Sequence, residues 1–198
     1  MTEKELKYIV PQEQIQAFLS SADYKSEITQ SYFDDRQVTA LVKQFQINLP
    51  EQIEKVSARL RREQVGSETN YILTVKGSLP EQASSDRCED ELELEEKDYE
   101  QLLQEAQAGT IKKTRYCFTI DIAAYPVQLT VDLFHCLAGK QQEWEYAMLE
   151  VEYTDDEVKE ILRSEKHGLA ILENAREVTE DPGFTNRQLA RELPTEKP

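Results

Sequence analysis

Charges in this chain recur as like-signed pairs two residues apart, and that pattern restricts the fold more than any other feature. Residues i and i+2 of an extended strand face the same side. Glu3 and Glu5 share a face with Lys7, with Leu6 and Tyr8 behind. Arg59 and Arg61 share a face opposed by Ala58 and Leu60; Lys76 stands with Thr74, and Lys113 pairs with Arg115. Glu150 and Glu152 lie opposite Leu149, Val151 and Tyr153, while Asp132 sits between Val131 and Leu133. Glu89, Glu91, Glu93 and Glu95 line one face of a further run, backed by Leu92 and Leu94. An ordinary antiparallel sheet turns its polar face to solvent and mixes signs along each row. Here acidic pairs occupy some strands and basic pairs others, so each pair calls for a counter-ion. A barrel with its charged face inward provides one.

With 198 residues, 39% of them hydrophobic, the chain is long enough to bury a core. Residues 1–192 are read as one domain and 193–198 as a disordered tail. No run of about 18–20 apolar residues is present for a membrane-spanning helix. The opening Met1-Thr2-Glu3-Lys4-Glu5 lacks the basic and apolar regions of a secretory signal. Three cysteines without CxxC spacing argue against disulfides or zinc and for a reducing cytoplasm. A net charge of −16 disfavours nonspecific binding to nucleic acid or an anionic membrane.

The pattern predicts strands at Thr2–Val10, Glu27–Asp35 (ending in a turn), Arg87–Glu95 and Glu145–Tyr153. Glu54–Gln64 and Thr69–Lys76 read as a hairpin around Gly66; Lys112–Ala123 and Pro126–Phe134 read as another, turning near Ala124-Tyr125-Pro126. Helices are expected over Pro11–Ala22, over Asp98–Ala108 up to Gly109, and from a capping box at Thr154–Glu157 to about His167. A short helical patch falls near Asn186–Glu192. The fold class is α+β: about eight antiparallel strands, barrel-like, with helices outside.

Placed inside a barrel, each sign acquires a role. Glu3, Glu5, Glu150 and Glu152 form a hard-oxygen set suited to Mg²⁺ or Mn²⁺. Arg59, Arg61, Lys76, Lys113 and Arg115 converge on a polyanion, arginine by bidentate contacts and lysine as a point charge. Metal and cations around a polyphosphate are the usual apparatus of phosphoryl transfer.

The run Glu3-Lys4-Glu5-Leu6-Lys7 matches the ExExK signature of the CYTH family, which takes in class IV adenylate cyclases and thiamine triphosphatases and is also called the triphosphate tunnel metalloenzymes. ARLRRE (58–63), TVKG (74–77), ELELE (91–95), KTRY (113–116), VDLF (131–134) and LEVEY (149–153) resemble that family's blocks in its order. YFDD (32–35) and TNRQLA (185–190) look similar too, and the resemblance covers roughly residues 2 to 190. It implies an eight-stranded antiparallel tunnel with a charged interior and outer helices. It implies metal at Glu3, Glu5, Glu150 and Glu152, and triphosphate at Lys7, Arg59, Arg61, Lys76, Lys113 and Arg115. It implies that Asp132, with Glu91 and Glu93, helps hold a second metal or positions the attacking water; the register of the acidic run leaves open which of its glutamates reach the site.

The expected activity is metal-dependent hydrolysis of a triphosphate, inorganic tripolyphosphate ahead of thiamine triphosphate. Conversion of ATP to cyclic AMP and a non-catalytic ligand-binding role are the alternatives. The expected cofactor is Mg²⁺ or Mn²⁺ and the expected partner a small triphosphate, with no nucleic acid and no membrane; a homodimer is left open. His135 and His167 match no block and are read as structural, Cys117 and Cys136 as packed strand residues. Trp144 is read as a surface anchor in preference to a cover for a ring.

Overall fold

The computed structural model describes residues 4–47, 55–78, 87–137, 140–141, 144–164 and 168–192. The strands are β1 (Lys4–Pro11), β2 (Tyr24–Tyr32), β3 (Lys55–Val65), β4 (Glu68–Ser78), β5 (Arg87–Glu93), β6 (Thr110–Ile122), β7 (Tyr125–Leu137), β8 (Lys140–Gln141), β9 (Tyr146–Tyr153) and β10 (Arg176–Glu177). The helices are α1 (Gln12–Leu19), α2 (Asp35–Gln44), α3 (Glu96–Leu103), α4 (Asp156–Arg163) and α5 (Asn186–Arg191). None is long and apolar enough to cross a membrane.

One mostly antiparallel sheet runs in the order β10-β1-β9-β7-β6-β2-β3-β4-β5, with β8 paired to β7 off that path. This corrects the expectation of an eight-stranded closed barrel. Nine strands form the path, and among the described residues no ladder joins its edges, β10 and β5. The sheet still curls, since one cavity is lined from β1 through β5.

The alternating pattern is used as the charge pairs required, with apolar faces turned outward under the helices. Leu6, Val10, Leu129, Val131, Leu149 and Val151 pack with Ile15 and Leu19 of α1 and Val158 and Leu162 of α4. Ala58, Leu60, Leu73 and Val75 pack with Val38 and Leu41 of α2 and Tyr99 and Leu102 of α3. Each such large side chain contributes roughly 1.5–3 kcal/mol on burial, so two outer cores sustain a fold whose inner face is largely charged.

That inner face is not charged throughout. On the rungs after Lys7 and before Lys113 and Glu150 stand Ile9, Ile111 and Met148, which join Tyr32, Phe134 and, from the chain's end, Phe184, Leu189 and Ala190. Trp144 packs edge-on against Phe134 and Tyr146, and so belongs to this apolar end of the interior instead of anchoring an outer surface. Gly109 lets α5 approach: a Cβ there would lie 2.3 Å from the Ala190 carbonyl oxygen, and its φ is +116°.

Several boundaries differ from expectation for local reasons. α2 follows the predicted turn because Asp34 and Gln37 form a capping box. The second hairpin turns one step earlier, at Ala123 and Ala124, both with positive φ, leaving Pro126 within β7. Asp155, not Thr154, caps α4 by accepting from the Glu157 N–H, and the helix ends at Arg163. α3 ends at Leu103, ahead of Gly109. The expectations for Glu3, for His167 and for a tail over 193–198 lie outside the described residues.

Candidate functional site

The curled sheet encloses a cavity of about 880 Å³. Its lining carries the basic side chains Lys4, Lys7, Arg59, Arg61, Lys76, Lys113, Arg115 and Arg187 against the acidic Glu5, Glu89, Glu91, Glu150 and Glu152. A chain of net charge −16 thus presents a cationic interior. Polyanion binding depends on this local field and not on the total charge.

Two ion-pair networks organise the wall. In the first, the strand registers place Glu5 opposite Glu152 and Lys7 opposite Glu150 across β1 and β9, and Arg115 opposite Asp132 across β6 and β7. The Lys7 ammonium lies 3.1 Å from both Glu5 and Glu150. Arg115 donates from Nε and Nη2 to the two Asp132 oxygens at 2.7 and 2.8 Å, and Nη2 also reaches Glu150 at 2.9 Å. Lys113 donates to Asp132 Oδ2 at 2.5 Å, with its Nζ 5.6 Å from the Phe134 ring centroid. In the second network Arg59 meets Glu89 at 3.2 Å and Arg61 meets Glu91 at 3.3 Å, while Lys76 pairs with Glu89 and Thr74 donates to Glu91 at 2.9 Å. The Nε–H groups of Arg59 and Arg61 are buried with no acceptor within hydrogen-bond distance, the Glu63 carboxylate lying 3.7 Å from that of Arg61. Buried donors without acceptors are costly, so both guanidiniums have donor capacity left for an anion.

Ten predicted site residues therefore line one cavity: Glu5, Lys7, Arg59, Arg61, Lys76, Glu91, Lys113, Arg115, Glu150 and Glu152. Asp132 and Glu93 do not. Asp132 is fully buried behind the wall as the counter-ion of Lys113 and Arg115, and Glu93, opposite Ile72 on β5, is exposed. Of the acidic run, Glu89 and Glu91 reach the cavity, as partners of Lys76, Arg59 and Arg61. Gln30 and Tyr32 also line it, as do Thr185, Asn186 and Arg187. The inner face of β2 carries Ser26, Ile28, Gln30 and Tyr32 without a charge, so counting charges by parity is silent there. The last three were legible only as part of the TNRQLA run. His135 lies on the outer face, where its Nε2 is 2.7 Å from Thr114 Oγ1.

The networks set the protonation states. Burial alone would lower Lys7, but Glu150 and Glu5 outweigh it and raise its pKa. Burial would raise Glu150, yet Lys7, Arg115 and Lys113 hold it well below the usual carboxylate range. For Lys113, burial and then Arg115 outweigh the pull of Asp132, lowering its pKa to about 8. A bound polyanion favours the ammonium and raises that value. Binding at pH 8–9 is therefore expected to take up protons, and affinity should fall as pH rises above about 8. Titration calorimetry in buffers of different ionisation enthalpy measures this; no buffer dependence would count against Lys113 as a contact.

Carboxylates that face a divalent cation should converge on one positive point. Glu5 and Glu150 do so, around the Lys7 ammonium, and Glu152 is Glu5's cross-strand neighbour. Among the described residues, no three acidic, histidine or cysteine side chains close on a single point. The donor chemistry fits a hard cation, and in this structure the positive group that Glu5 and Glu150 face is the Lys7 ammonium.

Fold and cavity together define a class: an α+β protein whose curled antiparallel sheet surrounds a cationic chamber. No protein-family model and no curated protein matches the chain. Solved structures are. The crystal structure of the inorganic triphosphatase NE1496 superposes with a TM-score of 0.52 at 20% identity, over 98% of this chain and 97% of that one. A second structure of NE1496, described as a hypothetical protein, gives 0.53 at 19% identity over 98% and 100%. PH1819 from Pyrococcus horikoshii OT3 gives 0.50 at 19% over 80% and 82%. The likeness is one of fold.

Proposed function

We propose that this chain is a metal-dependent hydrolase of a triphosphate, inorganic tripolyphosphate ahead of organic triphosphates such as thiamine triphosphate. The observation that carries the reading is the cationic lining of a chamber in a strongly acidic protein. The fold it shares with NE1496, an inorganic triphosphatase, supports it.

In this reading Arg59, Arg61, Lys76, Lys113 and Arg115 bind phosphate oxygens, and Arg59 and Arg61 gain in doing so an acceptor for Nε–H groups that have no hydrogen bond. Lys7 turns from Glu5 and Glu150 toward the substrate. Glu5, Glu150 and Glu152 would hold Mg²⁺ or Mn²⁺, which would supply neutralisation of phosphate charge and an activated water. Asp132 keeps Lys113 and Arg115 charged and aimed. The wall thus supplies positioning and charge neutralisation, the main demands of phosphoryl transfer.

The test is to incubate the protein with tripolyphosphate, thiamine triphosphate and ATP, each with Mg²⁺ or Mn²⁺, and follow phosphate, pyrophosphate and cyclic AMP. Phosphate release from tripolyphosphate is expected. Cyclic AMP with pyrophosphate from ATP would make it a cyclase, and no turnover with retained binding would make it a sensor. Arg59→Ala should raise KM for tripolyphosphate by roughly 10- to 100-fold, the span of one charge-assisted hydrogen bond. An unchanged KM would remove Arg59 from the contacts.

A further inference from the structure

The sequence runs YFDD (32–35) and TNRQLA (185–190) supply none of the groups assigned so far, yet they meet at the cavity. Asp35, the first residue of α2, accepts from Arg187 Nη2 at 2.5 Å. Asp35 is exposed, whereas Arg187 lines the cavity, and its Nε–H is buried with no acceptor. The Asn186 side-chain oxygen beside it is also buried without a donor. The backbone holding them is firmly placed: Leu189 and Ala190 are buried in the apolar end of the interior. One edge of the guanidinium is thus held by an exposed carboxylate, and its Nε–H is left over in the cavity wall. It stands beyond Tyr32, at the end of β2 remote from Glu5 and Glu152.

We propose that Arg187 is a further substrate-binding residue, which grips the end of the phosphate chain farther from Glu5 and Glu152 while Asp35 holds it in position. The inference rests on the triphosphate reading above and extends the binding site beyond the sheet. A planar guanidinium suits a terminal phosphoryl group, which offers more than one oxygen to a fork of donors. It also explains why a side chain on a short terminal helix is kept at the wall of a chamber otherwise built by strands.

The experiment is titration calorimetry of the full chain with tripolyphosphate in EDTA, so that binding is read without turnover, alongside melting temperatures. Arg187→Ala should weaken binding roughly 10- to 100-fold, and Arg187→Lys should recover part of the loss. Asp35→Ala cuts the same tether between α5 and α2 but keeps the guanidinium itself, so it separates loss of the tether from loss of the phosphate contact. It should change affinity by less than about 5-fold, as expected for an exposed ion pair. Arg187→Ala binding as tightly as the unaltered chain overturns the proposal. Equal losses in Arg187→Ala and Asp35→Ala overturn it as well, because the arginine would then act only as a latch. An unaltered chain that binds no tripolyphosphate in EDTA overturns this proposal, and the functional reading beneath it falls as well when Mg²⁺ and Mn²⁺ also give no turnover.

Discussion

Asp132→Ala is expected to destabilise the protein by about 3–5 kcal/mol, the range for removing one partner of a buried ion pair. At roughly 2–4 °C per kcal/mol for a chain of this size, the melting temperature should fall by about 6–20 °C. The carboxylate is fully buried and accepts from Arg115 through both oxygens and from Lys113 through one. Without it, two buried cations lose their main counter-charge. Their responses differ. Lys113, whose pKa is already lowered to about 8, can shed its proton, whereas a guanidinium cannot, and Arg115 keeps only Glu150 at 2.9 Å. The pH dependence follows from the sign of the lysine shift. Between about 8 and its ordinary 10.5 the unfolded chain binds more protons at this position than the folded one, so stability rises with pH across that window. In the variant the lysine is depressed further, so the penalty should be largest at low pH, shrink as pH rises toward about 8, and level off above it. Asp132→Asn, which keeps the volume and two hydrogen-bonding groups, should fall between the alanine variant and the parent. A change of melting temperature under about 2 °C in the alanine variant would mean that the two cations find other partners.

This buried aspartate marks where sequence reading stops. Alternation told that Asp132 faces the side opposite Val131 and Leu133, and that side proved to be the inner one. Parity says which face a residue takes but not how deep it lies in the wall, so it could not show that Asp132 sits behind Lys113 and Arg115 as their counter-ion. The acidic run had the same limit: Glu89, Glu91 and Glu93 share a face, and only pairing to β4 shows that Glu89 lies opposite Lys76 while Glu93 has run out to Ile72. Pairing is set by partners distant in sequence, and no local pattern carries it.

The hairpins were legible because turn chemistry and alternation are local, as at Gly66 with its positive φ. Closure of the sheet was not. It depends on whether the edges β5 and β10 meet, and β10 is two residues long, below what periodicity can register. The apolar end was hidden for a related reason. Ile9, Ile111 and Met148 each sit one rung from a charged residue on the same face, and read singly they look like breaks in the charge pattern. Only the cross-strand register assembles them into one cluster with Phe134 and Phe184.

Glu5→Gln should reduce metal-dependent turnover of tripolyphosphate by at least about 100-fold at limiting metal, while the protein stays folded. Even a group that merely supports a metal ligand is worth about 10- to 100-fold, and Glu5 is proposed to touch the metal itself. Its side chain is partly exposed and faces the cavity, away from the outer cores, so glutamine fits the same space and can still accept from Lys7. What changes is charge, and charge separates two explanations that activity alone would confuse. If Glu5 serves the metal, losing it weakens metal binding but makes the chamber more cationic. The variant should then bind tripolyphosphate in EDTA at least as tightly as the parent, and raised Mg²⁺ or Mn²⁺ should restore part of its turnover. If Glu5 serves only to hold Lys7 in place, the amide keeps that contact in weaker form, turnover falls little, and extra metal changes nothing. Near-parental activity at limiting metal would remove Glu5 from the metal site, leaving Glu150 and Glu152 to be tested in the same way.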